Sequence, residues 1–355
     1  MRIDFSVVRN FRNFSPANTR PELRITWEPG LNLILGPNGS GKTNLLESLS
    51  ILSGWGAFGR TQNVISWDSQ NMPAFAGCQA SGEESAQITA NITSRISLRL
   101  DGKAITSTDL RLVIPSILFL TGNVNLIDGS PSSRRMFIDR LCALFYPPYA
   151  KRLADFRYIL RTRTVLLRQG RSPERTTVPY CDVGGWIMDR RREAAAQLMQ
   201  IAQQEKFRLY FVPELNISGS EYLRERLRVN YAKELQAFRP QDGPSYDDLA
   251  ITLNSNGRPA SEALSRGQKR RLILSLLVSA GRLTAHRMKR DPVMLFDDLT
   301  AELDAQGREF VYTELAKTGW QVFITAPENP FKSFGKCRIV DFTSQLQHTG
   351  SFLDK

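Results

Sequence analysis

A glycine-rich stretch near the N-terminus constrains the fold of this chain more than any other feature of its sequence. Residues 36–43 read GPNGSGKT and match the phosphate-binding pattern G-x-x-x-x-G-K-[ST] at every fixed position. An apolar run typical of a buried strand precedes it at 31–35, and an apolar helical pattern follows it at 44–52. Strand, tight turn and helix are the geometry that such a loop needs. A chance glycine-rich turn is the alternative, and both flanks argue against it.

The residue types of this stretch explain what it would bind. Glycines let successive backbone N–H groups point inward at phosphate oxygens, and the helix N-terminus adds a partial positive charge. We expect Lys42 to reach the outer phosphates and the Thr43 hydroxyl to bind Mg²⁺. The predicted phosphate-binding residues are Gly36, Pro37, Asn38, Gly39, Ser40, Gly41, Lys42 and Thr43.

The composition argues against several other kinds of site. The chain has four widely spaced cysteines and only two histidines, His286 and His348. A structural zinc site or a disulfide framework is therefore not expected, and neither is catalysis by a Ser-His-Asp or Cys-His arrangement. The sequence has no apolar run near the ~20 residues of a membrane span and no signal-peptide pattern at its start. We therefore expect a cytoplasmic protein.

Residues 131–240 are helical in pattern and strongly basic. The periodicity predicts one helix over about 148–169 and another through 187–201, with Pro173 and Pro179 in the loop between them. The segment has 21 Lys and Arg against 11 Asp and Glu, so it contributes +10 of the chain's net charge of +12. Such a cluster is typical of contacts with nucleic-acid phosphates, although a solvated helical face is the alternative for any single arginine. The candidate DNA-binding residues are Arg161, Arg163, Arg168, Arg190, Arg191 and Arg192.

Two stretches in the last third of the chain extend the candidate site. An apolar strand pattern over 293–296 ends in Asp297 and Asp298. A strand-end Asp beside a phosphate loop can bind Mg²⁺, and a second acid can orient or activate the attacking water. A strand followed by an ordinary Asx turn is the alternative. The sequence LSRGQ at 264–268 precedes an apolar helix, where a serine and backbone amides can form an anion site.

The order of these motifs resembles that of the ATP-binding-cassette ATPases: phosphate loop, long insertion, LSxGQ, acidic strand and the ELD of 302–304. Within that class the chain is similar to the RecF family, SMC-related ATPases that lack the long coiled coil. The similarity rests on RNFRNF at 9–14, GSPSSRRMFID at 129–139, residues 264–271 and the phosphate loop, and it extends over nearly the whole chain.

This resemblance implies a fold class and a domain organisation. The fold is α/β, an ABC-type P-loop ATPase core with an antiparallel β subdomain and an inserted α-helical arm. The expected boundaries are 1–115 for the first half of the core, 116–244 for the basic arm and 245–355 for the second half of the core.

The resemblance also implies a function and its partners. The family dimerises on DNA in the presence of ATP and Mg²⁺, hydrolyses ATP slowly with stimulation by DNA, and helps load recombinase at gaps with RecO and RecR. The expected partners are single- and double-stranded DNA and a second copy of the chain, with no membrane. Ser265, Gly267 and Gln268 would then contact ATP held by the partner's phosphate loop, and Asp304 would communicate between the two sites. The catalytic residues would be Lys42, Asp297 and Asp298, and the metal ligands Thr43 and Asp297.

The chain also departs from the pattern of the ABC class. Asp298 stands where Glu is usual, and a shorter acid fits slow turnover; ITAP at 324–327 stands where a switch histidine is expected. The magnesium-contacting glutamine has two candidates, Gln62 and Gln70. Two alternative functions stay open at this point: an ABC-type subunit coupled to a membrane partner, and a nucleotide-gated clamp in which hydrolysis hardly matters.

Overall fold

The chain folds as two compact units, one of which is inserted into the sequence of the other. Unit 1 combines Met1–Asn123 with Arg266–Lys355, and unit 2 is the continuous segment Val124–Ser265. The computed structural model describes residues 1–15, 22–69, 72–120, 125–202, 207–301 and 303–342.

A six-stranded antiparallel sheet forms one layer of unit 1, with strand order β2-β1-β4-β5-β6-β7. Buried and exposed side chains alternate along β5, as expected for a strand with one face on the core and the other in solvent. The alternating patterns predict antiparallel strands over 75–106, and the structure has them there. The strands are β1 (Arg2–Arg9), β2 (Leu23–Thr26), β4 (Ala74–Ser81), β5 (Ala86–Ile92), β6 (Ile96–Leu100) and β7 (Lys103–Ile105).

A five-stranded parallel sheet forms the second layer of unit 1, with strand order β13-β3-β12-β11-β8. Every residue of β3, β11 and β12 is buried, which explains why these strands are continuous apolar runs rather than alternating ones. The strands are β3 (Leu31–Leu35), β8 (Ser116–Phe119), β11 (Val293–Asp297), β12 (Val322–Ala326) and β13 (Arg338–Asp341).

Helix α1, Lys42–Leu52, lies between these two sheets and contacts strands of both. Leu46 and Leu49 of this helix are fully buried in the core. The parallel sheet meets the same core through Phe323, whose ring packs edge-on against Trp27 with 5.0 Å between centroids. The phosphate loop therefore joins a buried strand to a buried helix, and its position is fixed from both ends. The other helices of unit 1 are α2 (Ser107–Val113), α10 (Arg266–Met288) and α11 (Ala305–Ala316).

Unit 2 is built mainly of helices around one long central helix, α6 (Glu174–Ile201), which contacts α4, α5, α7 and β9. Two antiparallel strands, β9 (Phe207–Val212) and β10 (Asp248–Leu253), form a small separate sheet. The remaining helices are α3 (Asn125–Asp128), α4 (Pro131–Phe145), α5 (Tyr149–Arg168), α7 (Gly219–Val229), α8 (Tyr231–Ala237) and α9 (Ala260–Ala263).

The limits of the inserted unit differ from the arm of 116–244 that the sequence predicts. Strand β8 pairs in parallel with β11, which assigns residues 116–119 to the sheet of unit 1. Strand β10 pairs with β9, which assigns residues 248–253 to unit 2. Both differences have one cause: the partner strand lies far away in the sequence, so no local pattern reveals the pairing.

The predicted loop between the two long helices is also shorter than expected. Helix α6 begins at Glu174 and contains Pro179. Its first turn is held from α5, because Arg163 donates hydrogen bonds to the carbonyl of Pro173 and to the hydroxyl of Thr176. A proline removes one backbone hydrogen bond from a helix, and α6 continues through Pro179 despite that loss.

Candidate nucleotide-binding site

The phosphate loop follows β3 and leads directly into α1, as the sequence predicts. Gly41 precedes the helix with φ +101°, and Gly39 has φ +83°. These conformations favour glycine. A Cβ at Gly41 would in addition lie 2.5 Å from the side-chain nitrogen of Asn13. The glycine here therefore provides both the turn and the room for Asn13.

Lys42 and Thr43, the first two residues of α1, already have partners within the site. The Lys42 ammonium donates to the carbonyl oxygens of Gly36 at 2.7 Å and Pro37 at 2.8 Å. The Thr43 hydroxyl donates to Asp297 Oδ1 at 2.8 Å. Residues 254 positions apart in the sequence thus meet at one point of the parallel sheet.

Asp297 and Asp298 lie at the carboxyl end of β11. Asp297 is buried and is paired in register with Thr325 of the neighbouring strand β12. The Thr325 hydroxyl donates to Asp297 Oδ1 at 2.7 Å and accepts the backbone N–H of Asp298 at 2.9 Å. Asp298 has φ +54°, a left-handed conformation that Asp tolerates better than most residues. The chain therefore turns sharply at the second acid.

These groups line a cavity of about 270 Å³. Burial lowers the pKa of the Lys42 ammonium below its ordinary value, while the negative charges of Asp297 and Asp298 oppose that shift. A cation on one side and two carboxylates on the other suit an anionic ligand that brings its own divalent cation. The lining residues are Asn38, Gly39, Gly41, Lys42, Thr43, Asn44, Asp297, Asp298, Thr325 and Pro327.

The donors in this cavity fit Mg²⁺. The Thr43 hydroxyl and the Asp297 carboxylate are oxygen donors in direct contact, and Mg²⁺ prefers oxygen ligands, which it usually takes from one or two side chains together with phosphate and water. Thr43 and Asp297 are therefore the residues of this chain that would hold the ion.

The turn at 10–14, for which the sequence predicts no role in the site, contacts several parts of it. Arg12 forms a bidentate ion pair with the buried Glu47 of α1, at 2.8 and 2.9 Å. Asn13 donates to the carbonyl of Ser40 and accepts from Asn44. The signal that pointed to this turn was the aromatic RNFRNF sequence, but the partners of its polar side chains lie too far along the chain to be read from it.

The same turn also holds the loop that follows α1. The Asn10 side chain donates to the carbonyls of Ser69 at 3.0 Å and Met72 at 2.7 Å. Gln62, one candidate for the magnesium-contacting glutamine, is exposed in a short 3-10 helix at Thr61–Val64. The other candidate, Gln70, lies outside the described residues.

The LSxGQ segment and Asp304 lie on other elements of the structure. Gly267 and Gln268 are in the first turn of α10, and Ser265 directly precedes that helix. Asp304 caps α11 by accepting the N–H of Gly307 at 2.7 Å, and it lies 3.6 Å from Arg271. In the described part of the chain, the residues that line the cavity at the phosphate loop do not include Gly267, Gln268 or Asp304.

Two of the six candidate DNA-binding arginines are buried and form ion pairs with carboxylates. Arg163 is 1% exposed and pairs with Glu234 at 2.6 Å. Arg191 is 3% exposed and pairs with Asp139 and Asp247. The predicted DNA contact is wrong for Arg163 and Arg191, because a guanidinium that is buried against carboxylates cannot reach a phosphate.

The other four arginines differ in how much of the side chain is accessible. Arg161 and Arg168 are exposed on α5. Arg190 is half-buried, pairs with Glu193 and lies over the ring of Tyr146. Arg192 is also half-buried and binds Asp189 and the carbonyl of Leu215. Arg161 and Arg168 are therefore the stronger candidates for DNA contact.

Known proteins resemble this chain in both sequence and fold. The model of the RecF/RecN/SMC N-terminal domain family matches residues 3–346. The DNA replication and repair protein RecF of Moorella thermoacetica is 30% identical over 330 residues, which cover 88% of each chain. Its counterpart in Shewanella pealeana is 30% identical over 345 residues, 90% of this chain and 91% of that protein.

Solved structures extend the likeness to the fold. The recombination mediator protein RecF-ATPrS in the RecFOR pathway superposes with a TM-score of 0.81 at 21% identity, covering 95% of each chain. An SMC head bound to the C-winged helix domain of ScpA gives a TM-score of 0.54 at 15% identity, over 96% of this chain and 94% of that one. The predicted α/β ATPase fold is confirmed. No helix in the described part of the chain is long and apolar enough to cross a bilayer.

Proposed function

Because this chain belongs to the RecF/RecN/SMC family, and to its RecF branch, we propose that it is an ATP-dependent DNA-binding protein of replication and recombinational repair. The relatives named above are DNA replication and repair proteins, whereas a transporter ATPase subunit would predict relatives of another kind. The observation that most directly supports ATP binding is the contact between Thr43 and Asp297 at 2.8 Å beside the phosphate loop.

The geometry of the site supports ATP as the ligand. Lys42 would exchange its two carbonyl partners in the loop for the outer phosphates. Thr43 and Asp297 would hold Mg²⁺, which neutralises charge on the phosphates when it is bound. Asp298, turned by its left-handed backbone, would orient the attacking water. Aspartate is one methylene shorter than the usual glutamate, which supports weak, DNA-stimulated hydrolysis that serves as a switch.

A homodimer would complete the site. In this arrangement Ser265, Gly267 and Gln268 bind the nucleotide held by the partner's phosphate loop, and Asp304 connects the two sites. A helix N-terminus is suited to phosphate binding. ATP then stabilises the dimer because each nucleotide contacts both copies. DNA at gaps or junctions, and mediators of the RecO and RecR type, would bind this ATP-bound form in the cytoplasm.

The test is binding to gapped duplex DNA with and without ATP and Mg²⁺, together with light scattering for the molar mass. We expect ATP to strengthen both dimerisation and DNA binding of the unaltered protein. Lys42→Met removes the cation that would bind the phosphates and should abolish both gains. Lys103→Met, which changes an exposed lysine in β7, serves as the matched control and should behave like the unaltered protein.

A different result would redirect the assignment. DNA binding that is weak and indifferent to ATP would contradict the proposal, and the basic surface of unit 2 would then be a solvated face or a docking site for protein. ATP-dependent DNA binding that persists in Lys42→Met would contradict the role of the phosphate loop.

A further inference from the structure

A threonine hydroxyl connects the two acidic residues of the site. Thr325 lies in β12, is 1% exposed, and contacts both the Asp297 side chain and the Asp298 backbone. We propose that Thr325 is a positioning residue for ATP hydrolysis, which holds the metal-binding acid and the water-orienting acid in one arrangement. This inference rests on the proposed function of the site.

The direction of each hydrogen bond is fixed by chemistry. A backbone N–H can only donate, so the Thr325 oxygen must be the acceptor for Asp298. The single proton of the hydroxyl is then available for Asp297 Oδ1, which can only accept when it is ionised. Among the uncharged side chains of similar size, valine can do neither and serine can do both. Thr325 thus uses its single donor on Asp297 and one of its acceptor lone pairs on Asp298.

The two contacts act on different properties of the site. Asp297 Oδ1 accepts from Thr43 of α1 at 2.8 Å and from Thr325 of β12 at 2.7 Å, so one hydroxyl on a helix and one on a strand fix the carboxylate beside the phosphate loop. Thr43, which donates a hydrogen bond to Asp297, still has oxygen lone pairs for a cation, so this arrangement remains compatible with metal binding.

The contact with the Asp298 backbone sets the direction of the second acid. Asp298 adopts φ +54° immediately after β11 ends, so its side chain points where the turn directs it. The bond from its N–H to Thr325 fixes the start of that turn against the neighbouring strand. Without the hydroxyl, this partly buried N–H loses Thr325 as its acceptor, and the turn loses a hydrogen bond to β12. Thr325 therefore couples the position of β12 to the orientation of the Asp298 side chain.

The experiment compares Thr325→Val, which keeps the shape but removes the hydroxyl, with Thr325→Ser, which keeps the hydroxyl. The readouts are kcat and KM for ATP, and the affinity for a fluorescent ATP analogue measured in EDTA and in Mg²⁺. For the valine variant we expect kcat to fall about 10- to 100-fold, as for a lost hydrogen bond to a charged group. Its affinity in EDTA should match that of the unaltered protein, and the gain on adding Mg²⁺ should shrink. The serine variant should restore both properties.

Three results would overturn the inference: a valine variant with unaltered kcat and unaltered Mg²⁺ response, a serine variant as impaired as valine, or an equal loss of affinity in EDTA and Mg²⁺. If Thr325→Val does not fold, Thr325→Ser and Thr325→Ala form a pair that differs only in the hydroxyl. If the unaltered protein proves not to hydrolyse ATP, or Lys42→Met hydrolyses it equally, the proposed function fails. The Mg²⁺-dependent affinity would then still show whether Thr325 positions Asp297 for the metal ion.

Discussion

At the scale of single residues, the same residue type has two unrelated tasks in unit 2. Arg163 is closed off by α5, α6 and α8, where it binds Glu234, two threonine hydroxyls and a carbonyl. Five residues further along α5, Arg168 is exposed. Charge counts cannot separate the two, because burial depends on which helix packs against each face of α5.

The buried pair leads to a prediction about stability. Arg163→Met should lower the free energy of unfolding by about 3–5 kcal/mol, because it leaves the Glu234 carboxylate buried without its cation. Chemical denaturation measures the change. The double variant Arg163→Met/Glu234→Leu should recover a large part of the loss, since it removes both charges together. Arg168→Met on the same helix should change the stability by no more than about 0.5 kcal/mol. Equal losses in Arg163→Met and Arg168→Met would contradict this account.

At the scale of elements, helix α5 presents one face to the core of unit 2 and a basic face to solvent. Phe156, Arg163 and Leu167 are buried along it, while Arg161 and Arg168 are exposed. Seven residues separate the two exposed arginines, which places them on the same side of the helix two turns apart. Two cations on one solvent-facing side of a helix are suited to contact with DNA phosphates.

The exposed face of α5 predicts a change in the salt dependence of DNA binding. Arg161→Ala/Arg168→Ala should weaken binding to DNA of any sequence, and should reduce the slope of log K against log salt by about 2, one unit for each lost phosphate contact. Fluorescence anisotropy over a series of salt concentrations measures that slope.

The matched control for this pair is Arg95→Ala/Arg99→Ala, which removes two exposed arginines of unit 1, one in the turn between β5 and β6 and one in β6. The slope should not change in this control. If it falls equally in both pairs, the loss reflects net charge rather than contacts of α5.

Elements whose contacts are local in the chain can be predicted from the sequence, whereas elements that depend on distant partners cannot. Strand β3, the phosphate loop and α1 are contiguous, so periodicity and residue type predicted their form correctly. Strands β8 and β10 were assigned to the wrong side of a boundary because their partners, β11 and β9, lie far away in sequence. Thr325 was visible only as part of ITAP, since its contacts with Asp297 depend on the parallel pairing of β11 and β12.

At the scale of the whole molecule, the proposed site is shared between two copies of the chain. Each copy contains both a phosphate loop and an LSxGQ helix. It would bind one nucleotide with the phosphate loop and the other nucleotide with the LSxGQ helix. A symmetric dimer contains two such composite sites. In a dimer of one altered and one unaltered copy, a defect in the phosphate loop or in the LSxGQ helix therefore impairs only one of the two sites.

Mixing two inactive variants tests this arrangement. Lys42→Met and Ser265→Arg should each hydrolyse ATP poorly alone, because every site contains one defect. In a mixed dimer one site carries both defects and the other none, so random mixing should restore about a quarter of the unaltered rate if the sites act independently. The measurement is steady-state hydrolysis after the two proteins are mixed.

A second mixture provides the control for complementation. Lys42→Met and Asp297→Asn alter the same half of the site, so both sites of a mixed dimer remain defective and no activity should return. Recovery in this control, or none in the mixture of Lys42→Met with Ser265→Arg, would contradict a site shared between copies.

The strand order of the parallel sheet has a consequence for the synthesis of the protein. Strand β3 leads into the phosphate loop, yet both strands that flank it, β12 and β13, are translated nearly 300 residues later. Unit 2 is continuous and can fold on the ribosome while these strands are still to be made. A nascent chain can thus form its basic helices before the strands that flank β3 have been made. Quality control that recognises unpaired strands would have that whole interval in which to act.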